Sequence, residues 1–251
     1  MKCDELVGYL DTYLRVEEIE DKSQNGLQVE GPDEVTKVAF AVDGCQRSFE
    51  QAVDEEAELL IVHHGLFWSE SELLTEIHFQ RVKTLIEGGC GLYAMHLPLD
   101  AHPEVGNNAE MARLLKLEET RPFGEYHGLE IGVLGGLDPA LDIPAFIGRL
   151  IEALGTPPIR VLDYGPEEIR RVGCVSGGAA SMMDQAARAG VDAYVTGETS
   201  HASYHEAAER GLNVFFAGHY ATETLGVTAL ARHVTDKFDV ETVFLDFPTG
   251  M

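Results

Sequence analysis

The sequence predicts an α/β protein built from two interlinked α/β halves of similar topology. Short apolar runs of strand length alternate with segments of helical periodicity along the chain, and stretches of the first half can be laid over the second without gaps. Composition makes a folded core the natural outcome. Of 251 residues, 45% are hydrophobic and 24% charged, a balance far from that of disordered chains.

Taken in order, Asp4 is placed to cap a first helix with Leu6, Leu10 and Leu14 on one face, and residues 21–31 read as a polar, glycine-containing loop. Strands at 37–43, 59–63 and 92–96 then alternate with helices at 47–56 and 77–87, followed by a helix at 107–115. A second series begins with 129–137. It continues through helix 143–154, strands 159–164 and 172–176, a helix near 182–189, strand 193–196, helix 204–210, strand 214–217, helix 222–233 and a closing strand near 242–246. Alternation of this kind is the mark of mostly parallel sheets. The expected halves are residues 1–125 and 126–251, interlinked because no low-complexity linker separates them.

The internal match has two parts. An offset of 134 places Val38 on Val172, Gly44 on Gly178, Gln51 on Gln185 and Ala52 on Ala186. An offset of 123 places Gly88 on Gly211, His96 on His219 and Asp100 on Glu223, so both halves carry a strand followed by His-x3-carboxylate. Chance agreement between two βαβ units is the rival to a true duplication.

Charge narrows the function classes. There are 43 acidic against 18 basic residues, a formal net charge of −25, and such a surface repels nucleic-acid backbones and anionic membranes. The acids are scattered, as expected of a halophilic acidic surface whose self-repulsion is screened within about 3 Å at 1 M salt. The Met-Lys-Cys-Asp start lacks a secretory apolar run, no stretch approaches membrane-span length, and a cytoplasmic location is expected. Cys3, Cys45, Cys90 and Cys174 stand far apart without a CxxC pair, which predicts buried, reduced thiols instead of a disulfide framework.

Several residues can carry metal chemistry. His63 and His64 end an apolar strand at the edge where parallel α/β sheets place their ligand sites, and a turn through Gly65 lets the two imidazoles diverge and serve different ions. The alternative is one His capping a loop with the other packed beneath it. Asp100 follows His96 by four residues with Pro98 between, which reads as a loop and leaves a turn role open. His219 and Glu223 share one face of a helix start, a common way to build a metal site and also the spacing of a surface ion pair. Gly177-Gly178-Ala179-Ala180 reads as a tight strand-to-helix turn, not as a phosphate loop.

The run DKSQNGLQVEG, AVDG, LLIVHHGLFW, YAMHLPLD, DAYVTGETSH and NVFFAGHYATE, in that order and over nearly the whole chain, resembles the NIF-three-like family, also called dinuclear-metal hexameric proteins or GTP cyclohydrolase 1 type 2 homologues. The resemblance implies two α/β domains of similar topology and a homo-hexameric ring. It also implies two divalent metal ions held by His63, His64, Asp100, His219 and Glu223. KSQNG and GETSHAS depart from the family's DNSG-like and GDxxxH elements without touching these five residues. Histidine and carboxylate ligands without thiolate fit zinc, iron or manganese, and five side chains for two ions leave positions open for water, as in catalytic sites. Around them His96, as a base or as a support for Asp100, together with Glu198 and His201, are the candidate catalytic residues.

The implied function is metal-dependent hydrolysis, with ring-opening of a nucleotide such as GTP first in line. The alternatives are a metal-containing binding or regulatory ring protein without turnover, and a phosphoester hydrolase.

Overall fold

The structure, a computed structural model, describes residues 1–69 and 73–251. Contacts divide the chain into two compact units: Met1–Leu99 with Val227–Phe247, and Asp100–Gly226 with Pro248–Met251. The expected cut at 125/126 differs from this for a simple reason. It would bisect an antiparallel hairpin, β5 (Glu118–Tyr126) with β6 (Leu129–Asp142), which belongs wholly to the second unit.

In the first unit, α1 (Cys3–Tyr13) buries Leu6 and Leu10. Its first turn contains Asp4, but the residue before the helix is Lys2, and the Asp4 carboxylate accepts from the neighbouring Glu5 N–H. Next come β1 (Gly26–Val29), β2 (Lys37–Asp43), α2 (Gln46–Asp54), β3 (Leu59–His64), α3 (Glu76–Gly88), β4 (Gly91–Ala94) and the single turn α4 (Leu97–Asp100). β1 lies inside the segment expected to be a loop. Only four residues long, it pairs antiparallel with β4, and its strand character comes from that partner more than from its own composition. α4 also overturns an expectation, since Pro98 did not forbid a helical turn around Asp100. A first-turn N–H has no intrahelical acceptor to lose, so proline is tolerated there.

The five strands run in the order β1-β4-β3-β2-β11, where β11 (Glu241–Phe244) follows α9 (His219–Lys237) and pairs parallel with β2. The helix α9 starts in the second unit, and its residues from Val227 belong to the first. β2, β3 and β4 are parallel, and their apolar runs are buried along almost their whole length, as parallel strands require. Phe49, Leu60, Val62, Leu85 and Leu92 centre the core.

The second unit continues with α5 (Asn107–Leu114), the hairpin, α6 (Ile143–Leu154), β7 (Arg160–Asp163), β8 (Glu168–Cys174), α7 (Met183–Arg188), β9 (Ala193–Thr196), α8 (His201–Arg210) and β10 (Asn213–Phe216). Asp142 caps α6 by accepting from Ala145 N–H at 2.8 Å, and Gly155 ends it at φ 71°. The six-stranded order is β5-β6-β8-β9-β10-β7, and this sheet is mixed, not mostly parallel. Only β8, β9 and β10 are parallel; β5, β6 and β7 join antiparallel. Met111, Phe146, Val172, Val195 and Phe215 lie in its core.

The parallel strands agree with the internal match. Val38 pairs with Leu59 and Val172 with Ala193, so one offset of 134 carries both residues of the first pair onto the second. A side-chain clamp repeats at the same offset. Glu58 accepts from the N–H groups of Thr36 and Lys37 at 3.1 and 2.8 Å, and Asp192 accepts from those of Arg170 and Arg171 at 2.8 and 2.9 Å. The next strands require a different offset, 122, because Leu59 faces Gly91 while Ala193 faces Asn213. The His-x3-carboxylate match needs 123, so one extra residue separates strand from histidine in the second unit. Among the described residues, no helix is long and apolar enough to cross a membrane.

Candidate metal-binding residues

In the first unit three histidines gather at the carboxyl ends of parallel strands. His63 is the fifth residue of β3 and His64 the last, while His96 follows β4 by two residues. Each offers a nitrogen within 4.8 Å of the others, and the ring centroids stand 4.7, 5.2 and 5.7 Å apart. An ion bound to two imidazoles at about 2.0–2.1 Å holds their centroids roughly 5–6.4 Å apart, so these spacings are close to those of shared ligation. His63 and His64 are consecutive on a strand, yet their rings meet at a tilt of 49°. The strand end lets them diverge without pointing to opposite faces.

Each ring is oriented through Nδ1. His63 Nδ1 lies 2.9 Å from the Met95 carbonyl, which can only accept, so Nδ1 carries the proton and the Nε2 lone pair is the one suited to a metal. His64 Nδ1 lies 2.8 Å from Asp43 Oδ1, and His96 Nδ1 lies 3.0 Å from Asp21 Oδ2. Asp21 is fixed in turn by Asn25 Nδ2 and the Leu97 N–H, both at 3.0 Å, and Asn25 Oδ1 accepts from the His96 N–H at 2.8 Å. Burial acts to raise the Asp21 carboxyl, but the hydrogen bond and charge of His96, then Asn25 and Leu97, hold it far below the usual carboxylate range. An imidazole backed by carboxylate or carbonyl is the usual form of a metal-ligating histidine. His96, expected beside the ligands, stands in one cluster with His63 and His64.

In the second unit the imidazole of His219 stands with carboxylates. His219 is the first residue of α9, and its Nε2 lies 3.0 Å from Oε2 of Glu223, one helical turn on. Its Nδ1 lies 2.6 Å from Glu198 Oε1. Burial works against a charged His219, but Glu223 and then Glu198 outweigh it and push its pKa up to about 9. Glu223 is almost completely buried. Gly177, at φ 64°, makes room for it, because a Cβ at that position would run into the Glu223 carboxylate. Gly177 and Gly178 lie in the passage from β8 to α7, which is longer than the tight turn expected and contains a 3-10 turn at Ala180–Met182.

Asp100 is also buried, and its Oδ1 accepts from Asn107 Nδ2 and Ser176 Oγ, both at 2.9 Å. The supporting residues form a chain of contacts. Asn107 Oδ1 accepts from the Gly226 N–H at 2.7 Å, Asn108 Oδ1 from the Ser176 N–H at 2.7 Å, and Thr222 Oγ1 from the Gly177 N–H at 3.0 Å. Of the residues expected to surround the ligands, Glu198 orients His219. His201 lies elsewhere: it begins α8, stands 5.9 Å from the ring of His205, and makes no hydrogen bond to Glu198, His219 or Glu223 among the described residues.

Asp21, Asn25, Asp43, Met95, Asn107 and Ser176 were not singled out from sequence. Asp21, Asn25 and Asp43 do stand inside DKSQNG and AVDG, two runs of the family resemblance, and that was the available signal. Three of the cysteines are buried as expected, and burial pushes Cys90 and Cys174 up to about 12, which keeps them protonated. Cys45 is only half-buried.

Comparison with known proteins places the chain among relatives of one family. Residues 1–250 match the Duf34/NIF3 (NGG1p interacting factor 3) family. The chain is 45% identical over 251 residues to a GTP cyclohydrolase 1 type 2 homolog of Pyrococcus horikoshii, covering 100% of both chains. A homolog of the same name from Halobacterium salinarum is 44% identical over 255 aligned positions, again covering 100% of both. Among solved structures, the crystal structure of TTHA1606 from Thermus thermophilus superposes with a TM-score of 0.93 at 44% identity, over 100% of each chain.

Proposed function

Because the chain belongs to the Duf34/NIF3 family, we propose that it is a metal-dependent hydrolase that holds two divalent ions, with His63, His64, Asp100, His219 and Glu223 as ligands. The observation that supports this most is that the Nδ1 of each of these histidines is held by a fixed oxygen acceptor within its own unit: Met95 for His63, Asp43 for His64 and Glu198 for His219. The donor set, imidazole and carboxylate without thiolate, fits zinc, iron or manganese. When bound, such ions polarise a substrate oxygen and lower the pKa of a water.

The chain's own residues then have distinct tasks. His63 and His64 present Nε2 while Nδ1 stays with its acceptor. Glu198 keeps the His219 proton on Nδ1, so that Nε2 is released for ligation when the proton between His219 and Glu223 departs. Asn107 and Ser176 fix one oxygen of Asp100 and leave its orientation set. His96, backed by Asp21 through Nδ1 and grouped with His63 and His64, is placed as the proton carrier of the first unit.

The substrate class is a nucleotide opened at its ring, in line with the name carried by the 44–45% identical relatives. In this reading the chain works in the cytoplasm as a homo-hexameric ring with a halophilic acidic surface. A second reading, a metal-containing regulatory ring protein, is favoured by the family's description as an interacting factor. Metal-loaded protein in molar salt is incubated with GTP and a panel of nucleotides and phosphoesters. Formate released from GTP supports the first reading, phosphate from an ester redirects it to phosphoester hydrolysis, and no turnover with zinc, iron or manganese overturns hydrolase activity. A mass in molar salt corresponding to a monomer removes the ring.

A further inference from the structure

α8 carries a stripe that the proposed centre does not use. His201, His205 and Glu209 follow each other at four-residue spacing, so they lie along one face of the helix, and all three are exposed. Neither imidazole makes a hydrogen bond or ion pair among the described residues, and both stand against rings: His201 against His205, and Tyr204 against His205 at 5.3 Å. Both line one surface pocket with Thr199, Ser200 and Tyr204.

We propose that His201 and His205 form a separate, surface two-imidazole site for a transition-metal dication of the zinc, nickel or copper class. Two histidines one turn apart on a helix are the core of known helical zinc sites, because their side chains lean the same way and converge on one point. Distance agrees. At metal–nitrogen bonds of about 2.0–2.1 Å the centroids of two coordinated imidazoles stand roughly 5–6.4 Å apart, and here they stand 5.9 Å apart. Closing the rings on an ion therefore needs side-chain rotation and no movement of the helix.

The surroundings favour a cation on balance. Among the described residues Arg160 is the one cationic side chain lining the pocket, whereas Glu209 continues the stripe and the whole chain carries −25. Glu206, the other acid at this turn, is engaged with Arg210 at 3.2 Å, so the two imidazoles supply the protein ligands and water completes the coordination. Imidazole without hard oxygen donors selects zinc, nickel or copper over magnesium or calcium.

Metal-stripped full-length chain is titrated with nickel and, separately, with zinc by calorimetry. Besides the events of the proposed centre, the unmodified protein is expected to show a further binding event that His201→Ala and His205→Ala each weaken by about a hundredfold or more, since either change leaves a single ligand and removes the chelate. Copper added at substoichiometric amounts should broaden the His201 and His205 ring resonances together. Both variants alter exposed side chains, and circular dichroism checks that each remains folded. A variant with His63 and His219 both changed to Ala should keep the event, which separates this site from the proposed centre. Isotherms unchanged by His201→Ala and His205→Ala, or an event lost only with His63 and His219, would overturn the proposal.

Discussion

The two units build the same strand ends and dress them differently. At the end of β3 the first unit has His63-His64; at the end of β9 the second has Gly197-Glu198, the same positions at an offset of 134. Where Asp43 orients His64, the matching residue is Gly177, which clears space for Glu223. His64 corresponds to Glu198, so a side chain that is itself a candidate ligand in one unit is the group that orients a candidate ligand in the other. The difference teaches that the scaffold fixes where donors stand and leaves open which of them binds and which supports. The first unit became rich in imidazoles and the second in carboxylates.

The sharpest way to break this comparison is at Glu223. The Glu223→Gln variant keeps shape and removes the charge, so metal retained after dialysis should fall by about a hundredfold or more in affinity for at least one ion, with the circular dichroism unchanged. The size follows from exchanging a charged oxygen donor for a neutral one in a buried place. Gly177→Ala tests the same point from the backbone: its Cβ would displace the Glu223 carboxylate, and its φ of 64° adds about 1 kcal/mol of strain. It should lose metal as Glu223→Gln does and also unfold earlier in denaturant. Two ions held tightly by either folded variant would remove Glu223 from the ligand set.

A smaller effect is expected one step out from the ligands. Asp43→Asn and Glu198→Gln each replace a carboxylate that holds a histidine Nδ1 by a weaker acceptor, and each should cost about 10–100-fold in metal affinity. Equal losses, read by competition with a chelator, would mean that the two supports are equivalent despite their different places on the scaffold. A loss confined to one would mean that only that unit's histidine is a ligand.

How much of this was legible before the structure depends on what kind of contact decided it. The parallel strands could be read because β2, β3, β9 and β10 are buried along nearly their whole length, and such runs are written in apolar residues. β5 could not. Its first five residues are exposed, it contains Pro122, and it is a strand only because β6 pairs with it. The candidate ligands were visible because histidine and acidic spacings are local. Asp21 and Ser176 were not, because each is 75 or 76 residues from the side chain it holds, His96 and Asp100 respectively. Glu198 stands among the candidate catalytic residues of the sequence, yet its contact with His219 spans 21 residues and is visible only in the fold.

The smallest expected effect concerns the repeated clamp, and it asks whether the two units are alike away from their candidate ligands. Glu58 and Asp192 each take two consecutive backbone N–H groups, at the start of β2 and within β8 respectively, and the match extends to the residues that donate them. Glu58→Gln and Asp192→Asn keep one oxygen acceptor, so each should cost about 1 kcal/mol at pH 7 in denaturant unfolding. Glu58 adds a pH signature. Burial acts to raise its carboxyl, but the N–H groups of Lys37 and Thr36 and the Thr36 hydroxyl outweigh it, and its pKa lies below the ordinary glutamate value. A depressed carboxyl contributes stability above its unfolded pKa of about 4.3 and loses it as pH falls through the folded value. The gap between the unaltered chain and Glu58→Gln should therefore be full at neutral pH and shrink on acidification below about pH 4. Equal costs at pH 7 would show the clamp to be a shared feature of the scaffold. A cost several times larger in one unit would show that the geometry repeats and its energetic weight does not.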